Sequence, residues 1–334
     1  MRIRTMKRTA VMLCLLMVFS VFAIAQNTTS TITGVTSDSD DILPGAVVKV
    51  TEVESGVTYS AISNQKGQFR ITGLTPGGPY RLEVSYVGYK KSVIDIKRIS
   101  LGEVYSCDVN LTAGNELQEV IVKGQAAALR KTGSSENISS EDIDNKATID
   151  RSLQDILAMS PYYIGSGSFG GRDGGMNNYS VDGANFNANM GLDRENMPGA
   201  GTPFALEALE DIQIVNSAFD VKNSNFMGAS INAVTKKGTN TFRGSAYHFY
   251  KDENLRGNRV DGEELSSPRG DIKRTIYGLT LGGPIIKDKL FFFVSAELEN
   301  TPLQLHQWQA SKDGVEDGKN LISRVTESDM KQFA

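Results

Sequence analysis

The sequence predicts a mainly β chain in three parts. An N-terminal β-sandwich is followed by a mixed α+β segment and then by the first long strands of a membrane barrel. Three observations lead there. Residues 31–111 are rich in Val, Tyr, Thr and Gly and alternate with a period of two between turn signals. Residues 165–190 are dense in Gly, Asn and Ser. Residues 274–281 and 290–297 are two strand-like runs joined by Gly282-Gly283-Pro284-Ile285-Ile286-Lys287-Asp288-Lys289. A period of two places successive side chains on opposite faces of a strand, which is the pattern of a half-buried sheet.

The first 25 residues carry Arg2, Arg4, Lys7 and Arg8, then an apolar run over 10–24 broken only by Ser20, and close on Ala23-Ile24-Ala25. A basic end, a short apolar centre and a small-x-small site predict a secretory signal peptide over residues 1–25, cleaved after Ala25. The apolar stretch is short for a spanning helix, which needs about 20 residues. Cys14 lies in mid-run behind Leu13, a context unsuited to a lipoprotein site. No later segment is apolar for long enough to cross as a helix, so any membrane crossing must use strands.

The chain has 35 Lys and Arg against 39 Asp and Glu; without the four basic residues of the leader the count is 31 against 39, a net charge of about −8. No basic block remains for nucleic acid. Cys107 is the only cysteine beyond the leader, which excludes an internal disulfide and a cysteine metal site. His248 and His306 stand far apart, and no Ser/His/Asp, Cys/His or metal constellation assembles, so no enzyme is predicted.

Within 26–112, Val48 and Val50 share a face, as do Phe69 and Ile71, and Tyr80, Leu82, Val84 and Tyr86 continue the period. Turn signals at Leu43-Pro44-Gly45, Asn64-Gln65-Lys66-Gly67 and Thr75-Pro76-Gly77-Gly78 predict a small antiparallel sandwich. The elements Leu43-Pro44-Gly45-Ala46, Gly67-x-Phe69-x-Ile71, Leu74-x-Pro76-Gly77 and Tyr86-x-Gly88-Tyr89 resemble the carboxypeptidase-regulatory-like, transthyretin-type domain. That resemblance implies no peptidase chemistry. It leaves a spacer, a protein-docking module or a carbohydrate-binding module open, because fold alone sets no ligand. Asp38, Asp40 and Asp41 precede a Pro-Gly turn without the glycine and distal glutamate of a calcium loop, and read as a solvated turn.

Residues 113–140 read as a linker holding one extended apolar patch, Glu119, Val120, Ile121 and Val122. Such a patch suits addition of a strand to a partner's sheet edge; its other reading is the first strand of the next domain. Residues 141–240 follow as a mixed α+β segment. Leu153, Ile156 and Leu157 predict a helix within 149–159, ended by Ser160-Pro161. Neither a Walker lysine pattern nor a dinucleotide fingerprint accompanies the glycines. Asn185, Asn187 and Asn189 alternate like calcium ligands, but Asn196 stands where a bidentate acid belongs, and no metal is predicted.

From 241 onward the pattern suits membrane strands. Residues 241–250 alternate, with Phe242, Gly244, Ala246, His248 and Tyr250 on one face, over the roughly ten residues that a tilted strand needs to cross. This reading puts outer loops at 251–273 and from 299 onward, a short periplasmic turn at 284–289, and His248 in the barrel wall or lumen. Arg269-Gly270-Asp271 matches an adhesion tripeptide too short to carry a role.

The Gly-Gly-Pro-Ile-x-Lys-Asp-Lys-x-Phe-Phe-Phe hairpin, the apolar patch at 119–122, Gly170-Gly171-Arg172, Val181-Asp182-Gly183 and the run from Ile212 to Asn240 together resemble the TonB-dependent outer-membrane receptors of the Bacteroidota type. The resemblance implies a plug at 141–240, a TonB box at Glu119, Val120, Ile121 and Val122, and the start of a transmembrane β-barrel at 241–334. It implies ligand-facing plug loops, for which Arg172, Asp173, Tyr179, Asp182, Asn185 and Phe186 are the candidates, and no cofactor. It also implies the TonB complex, a nutrient ligand and, in part of the family, a surface lipoprotein as partners. The expected activity is energy-coupled uptake of a bulky nutrient such as a glycan, peptide or metal chelate across the outer membrane, with the sandwich in the periplasm. Such barrels close with about 22 strands, against three candidates here, so the sequence reads as a C-terminally truncated product or fragment. The alternative is a soluble periplasmic binding or adaptor module without transport.

Overall fold

The computed structural model describes residues 28–333 apart from 40, 115–119, 123–126, 129–132, 149, 189–203, 219–225, 253–254, 256, 258, 261–262, 265–272, 303–308 and 318–321. The leader and its cleavage site, Cys14, Asp40, Glu119, Asn189, Asn196, His306 and the Arg-Gly-Asp triplet lie outside the described residues. The chain divides into two compact units, Met1–Ser245 with Thr280–Ala296, and Ala246–Leu279 with Glu297–Ala334.

The alternating N-terminal runs form β1 (Ser30–Ser37), β2 (Val47–Glu52), β3 (Thr58–Ile62), β4 (Gln68–Leu74), β5 (Tyr80–Ser85), β6 (Ser92–Ile96), β7 (Val104–Ser106) and β8 (Val109–Asn110). Two short strands of the expected linker join them, β9 (Val120–Val122) and β10 (Ala127–Ala128). One sheet has the order β3-β2-β5-β6-β9, the other β10-β7-β1-β4 with β8 also on β1. Val48, Val50, Phe69, Ile71, Tyr80, Leu82 and Val84 all point into one core, as their period of two dictates. The sandwich is not purely antiparallel: β7 and β8 run parallel to β1, and β9 parallel to β6. After β6 the chain crosses to the other sheet and arrives beside β1 in the same direction, a crossover that strand patterning alone does not encode. Gly34 in β1 permits the approach, since a Cβ there would stand 1.9 Å from the Cys107 carbonyl oxygen. The acidic turn is self-contained: Asp38 Oδ1 accepts from the Asp41 N–H and Oδ2 from the Tyr89 hydroxyl.

The plug begins earlier than its sequence suggests. β11 (Gly133–Ser139) is the edge strand of a five-stranded sheet, order β11-β16-β17-β14-β15, with β14 (Asn178–Val181), β15 (Ala184–Asn185), β16 (Leu209–Ala218) and β17 (Ser230–Thr235). Residues 133–139 therefore leave the linker and join the plug, held by seven paired positions with β16. Helix α1 (Ser140–Asn145) follows directly, with Ser139 and Asp142 forming a capping box. The second helix is shorter than predicted: α2 spans Leu153–Leu157 only, because Ser152 caps it with Asp155 and Arg151 sits at φ +46°. Its Leu153, Ile156 and Leu157 pack on Ile138, Ile212, Ile214, Ile231 and Ala233 of the sheet. A two-stranded ribbon, β12 (Tyr163–Gly165) with β13 (Ser168–Phe169), adds Phe169 to this core.

Sandwich and plug meet through Arg98, which lies between β6 and β7. Its guanidinium reaches Glu210 Oε1 at 3.0 Å and Asp211 Oδ2 at 3.1 Å. The Leu101 carbonyl accepts from Asn137 Nδ2 and Gln213 Nε2, both at 2.9 Å. Burial raises the Asp211 carboxyl above its ordinary range, opposed by the hydrogen bonds from Asn137 and Arg98. Burial raises Glu210 likewise, against the pull of Arg98.

The membrane-type strands are β18 (Arg243–Lys251), β21 (Arg274–Ile286) and β22 (Leu290–Asn300), in the order β18-β21-β22. A minor hairpin, β19 (Arg259–Val260) with β20 (Glu263–Glu264), lies between the first two in sequence. β21 runs on through Gly282-Gly283-Pro284-Ile285-Ile286, so the turn shrinks from 284–289 to Lys287, Asp288 and Lys289, with Asp288 at φ +61°. A Cβ on Gly283 would stand 2.4 Å from the Phe242 ring, which is why the two strands can pack there. Tyr277, Leu279 and Leu281 alternate as an exposed apolar row along β21, and Leu290, Val294 and Leu298, at every fourth position, are exposed on one face of β22. His248 stacks on Tyr277 with ring centroids 4.5 Å apart, which puts it on that wall face. Beyond 300 the expected loop holds a parallel pair, β23 (Gln309–Ser311) with β24 (Ile322–Thr326), and helix α3 (Glu327–Phe333).

Three outcomes test this packing. Leu82→Ala, at a fully buried position, should cost ~2–5 kcal/mol of unfolding free energy in urea titration. Val87→Ala, at a position 93% exposed, should stay within about 0.5 kcal/mol. Arg98→Ala strands the buried Asp211 carboxylate and should cost about 3–5 kcal/mol, seen as earlier protease entry between sandwich and plug. The raised carboxyls fix the sign of the pH effect. Their stabilisation is complete below the unfolded carboxylate pKa of about 4 and is lost as pH rises through the folded values. Wild type should therefore gain stability over Asp211→Asn as the pH falls from 7 toward the unfolded carboxylate pKa of about 4.

Candidate functional site

Three residues of the predicted box, Val120, Ile121 and Val122, form a strand of the sandwich. Val120, Ile121 and Val122 run parallel to β6 in the register Ser92–Val120, Val93–Ile121 and Ile94–Val122. The first strand of the plug is β11 instead. Ile94 belongs to the sandwich core, while Val93, one residue earlier and so on the opposite face, is only 2% exposed.

Of the six predicted plug-loop residues, Asp182 alone is among those lining the cleft described below. Arg172 is exposed and donates from Nη1 to the Met227 carbonyl at 2.6 Å; Asp173, also exposed, accepts from the Gly175 N–H and caps a single 3₁₀ turn. Tyr179 is 4% exposed in the plug core, and its N–H donates to Asn187 Oδ1 at 2.7 Å. Asp182, at φ +49°, accepts from the Thr235 N–H and hydroxyl, both at 2.9 Å, and so fastens the Val-Asp-Gly turn to β17. Asn185 Oδ1 accepts from the Asn187 N–H. Phe186 packs edge-on against Phe204 at 6.1 Å. The Asn185 and Asn187 side-chain oxygens thus hold backbone N–H groups, and among the described residues no cluster of three His, Cys, Asp or Glu is arranged for a metal.

A polar row missed by the sequence reading crosses the plug sheet: Asn137 pairs with Gln213, Gln213 with Asn232, Asn232 with Ser180 and Ser180 with Asn185. Ser180 donates to Asn232 Oδ1 at 2.7 Å, and Asn187 to Asn178 Oδ1 at 2.8 Å. Asn178, Ser180, Ser230 and Asn232 are all at most 2% exposed. The signal that could have found it is the alternation Asn178-x-Ser180 and Ser230-x-Asn232, with the apolar residues of each strand on the other face.

A cleft of about 690 Å³ opens where the sandwich, the plug's end and the base of the β18-β21-β22 sheet meet. Glu52, 3% exposed, pairs there with Lys237 Nζ at 2.6 Å and accepts from the Ser55 hydroxyl. Lys237 also donates to the Thr75 hydroxyl. Burial, then the charge of Glu52, raises the Tyr80 hydroxyl well above its usual range. Glu54 takes both terminal nitrogens of Arg243 at 2.9 Å. Asn240 donates to the Ser55 carbonyl and to Asp288 Oδ1, at 2.8 and 2.7 Å. The sandwich turn after β2 thus grips the first barrel strand and the hairpin turn together. Chemically this is a set of paired charges within the first unit.

Residues 31–112 match the carboxypeptidase regulatory-like domain family, and residues 234–305 match the outer membrane beta barrel domain family. The chain is similar to the TonB-dependent transporter Oar of Myxococcus xanthus, with 26% identity over 97% of this chain and 31% of that protein. It therefore spans about a third of that relative's length. Among solved structures it is similar to the siderophore receptor PirA of Acinetobacter baumannii (19% identity, 50% of this chain, 24% of that chain, TM-score 0.39). It is also similar to the outer membrane transporter YddB of Escherichia coli (20% identity, 49% and 26%, TM-score 0.37). The chain thus holds one stretch that matches the carboxypeptidase regulatory-like domain and one that matches the outer membrane beta barrel domain, and over nearly its whole length it is similar to a TonB-dependent transporter.

Proposed function

We propose that this chain is the front part of a TonB-dependent transporter that admits a bulky nutrient through an outer-membrane barrel. The observation that carries the reading is the collinear likeness to a TonB-dependent transporter over 97% of the chain. The exposed apolar rows of β21 and β22 support it, because a lipid-facing strand needs apolar side chains at alternate positions over about ten residues. A glycan, a peptide or a metal chelate fits the class, and a surface lipoprotein fits as its capture partner. Arg172, Asp173 and Asn185, exposed on the plug, are the residues proposed to face the ligand. Glu119, Val120, Ile121 and Val122 are proposed as the segment that TonB takes by strand addition, and the sandwich is a periplasmic module.

Fractionation of the native product tests the reading. It should be recovered from the outer membrane only with detergent, and deletion of residues 119–122 should abolish uptake without lowering the amount in that fraction. Recovery as a soluble periplasmic protein would overturn transport and leave a binding or adaptor module.

A further inference from the structure

We infer that the sandwich is fastened more firmly to the plug than to the base of the barrel, so that when plug and barrel part, the sandwich leaves with the plug and the contact between Glu54 and Asn240 opens first. That the two part at all rests on the transporter reading; the order of opening rests on the contacts alone.

The sandwich meets the rest of the first unit along two seams. At the plug seam Arg98 bonds the carboxylates of Glu210 and Asp211. Leu101 offers its carbonyl to Asn137 and Gln213 and its N–H to the Asp211 carboxylate. Asp211, Gln213 and Val215 share one face of β16, opposite the face that carries Ile212 and Ile214 into the plug core. Leu101 and Val215 are at most 5% exposed, yet they belong to neither the sandwich core nor the plug core, which places their burial in the seam.

At the barrel seam the Asn240 N–H donates to the Glu54 carbonyl at 3.0 Å, and its side chain to the Ser55 carbonyl. Glu54 forks onto Arg243, whose side chain is 64% exposed. Water replaces polar contacts at little net cost, least of all when they already stand half in solvent. The difference between the seams is therefore apolar. Parting sandwich from plug hands Leu101 and Val215 to water, at the cost of hydrating aliphatic surface, whereas these barrel-side contacts are polar. Lys237, two residues past β17, is held by Glu52 and stays with the sandwich, so the hinge falls at residues 238 and 239.

One backbone amide reports on each seam: the Leu101 N–H on the plug side and the Asn240 N–H on the barrel side. Hydrogen exchange is followed at single-residue resolution on the native product in detergent at neutral pH, with neither TonB nor nutrient present. Corrected for intrinsic rates, Asn240 should exchange at least about tenfold faster than Leu101, because local opening proceeds from the weakest contacts. Equal rates, or the reverse order, would overturn the inference. In the Leu101→Ala chain, exchange at residue 101 should rise by at least about tenfold while Asn240 keeps its rate; an unchanged rate at residue 101 would overturn the apolar basis of the seam. Either failure leaves the transporter reading standing, since that reading falls on soluble periplasmic recovery instead.

Discussion

The arrangement of the first unit depends on one contact, Arg98 against Glu210 and Asp211. Two carboxylates side by side at the start of β16 would repel each other and lose hydration on burial; the guanidinium between them offsets part of these costs, and burial still leaves both carboxyls raised. The Leu101 carbonyl then serves Asn137 and Gln213, so one stretch of sandwich backbone sets the position of the plug's two leading strands. The Glu52–Lys237 pair and the Glu54–Arg243 fork make a second attachment at the same end of the plug sheet, just past the point where Thr235 pairs with Leu209. Buried pairs of this kind are better at fixing a geometry than at adding stability, since desolvation removes much of the Coulombic gain.

The sandwich was legible in the sequence because its strands are half-buried and its period of two is written in side-chain type. Val48, Val50, Tyr80, Leu82 and Val84 needed no tertiary information. The long strands were legible for the same reason, except at their ends. Gly282-Gly283-Pro284 has the composition of a turn yet continues β21, because small residues there let neighbouring aromatic rings approach. β11 was hidden: of Gly-Ser-Ser-Glu-Asn-Ile-Ser only Ile138 is an apolar residue that is buried, and what makes it a strand is the ladder offered by β16.

The candidate site was less legible than the fold. Tyr179, Asp182 and Phe186 stand out by motif, but motif does not separate a residue that meets a ligand from one that secures a turn or fills a core. Here two pack into the plug and the third fastens β17. The junction residues Glu52, Arg98, Lys237 and Arg243 carried no local signal, since each acts on a partner more than 100 residues away in sequence. Ionic contacts between domains leave no periodicity, only charges that read as surface. The parallel pairing of β9 with β6 was equally unreadable, because three valine-like residues fit any open edge.

The ladder between β11 and β16 has a mechanical meaning. Gly133 pairs with Ala218 at one end of the sheet, and Leu209 pairs with Thr235 at the other. The chain therefore enters the plug at one end of the strand axis and leaves toward the barrel at the opposite end. Tension between those two points aligns with the strands, and it loads the seven pairings of β11 together in shear instead of opening them one at a time. A sheet strung this way yields abruptly above a threshold force and hardly at all below it.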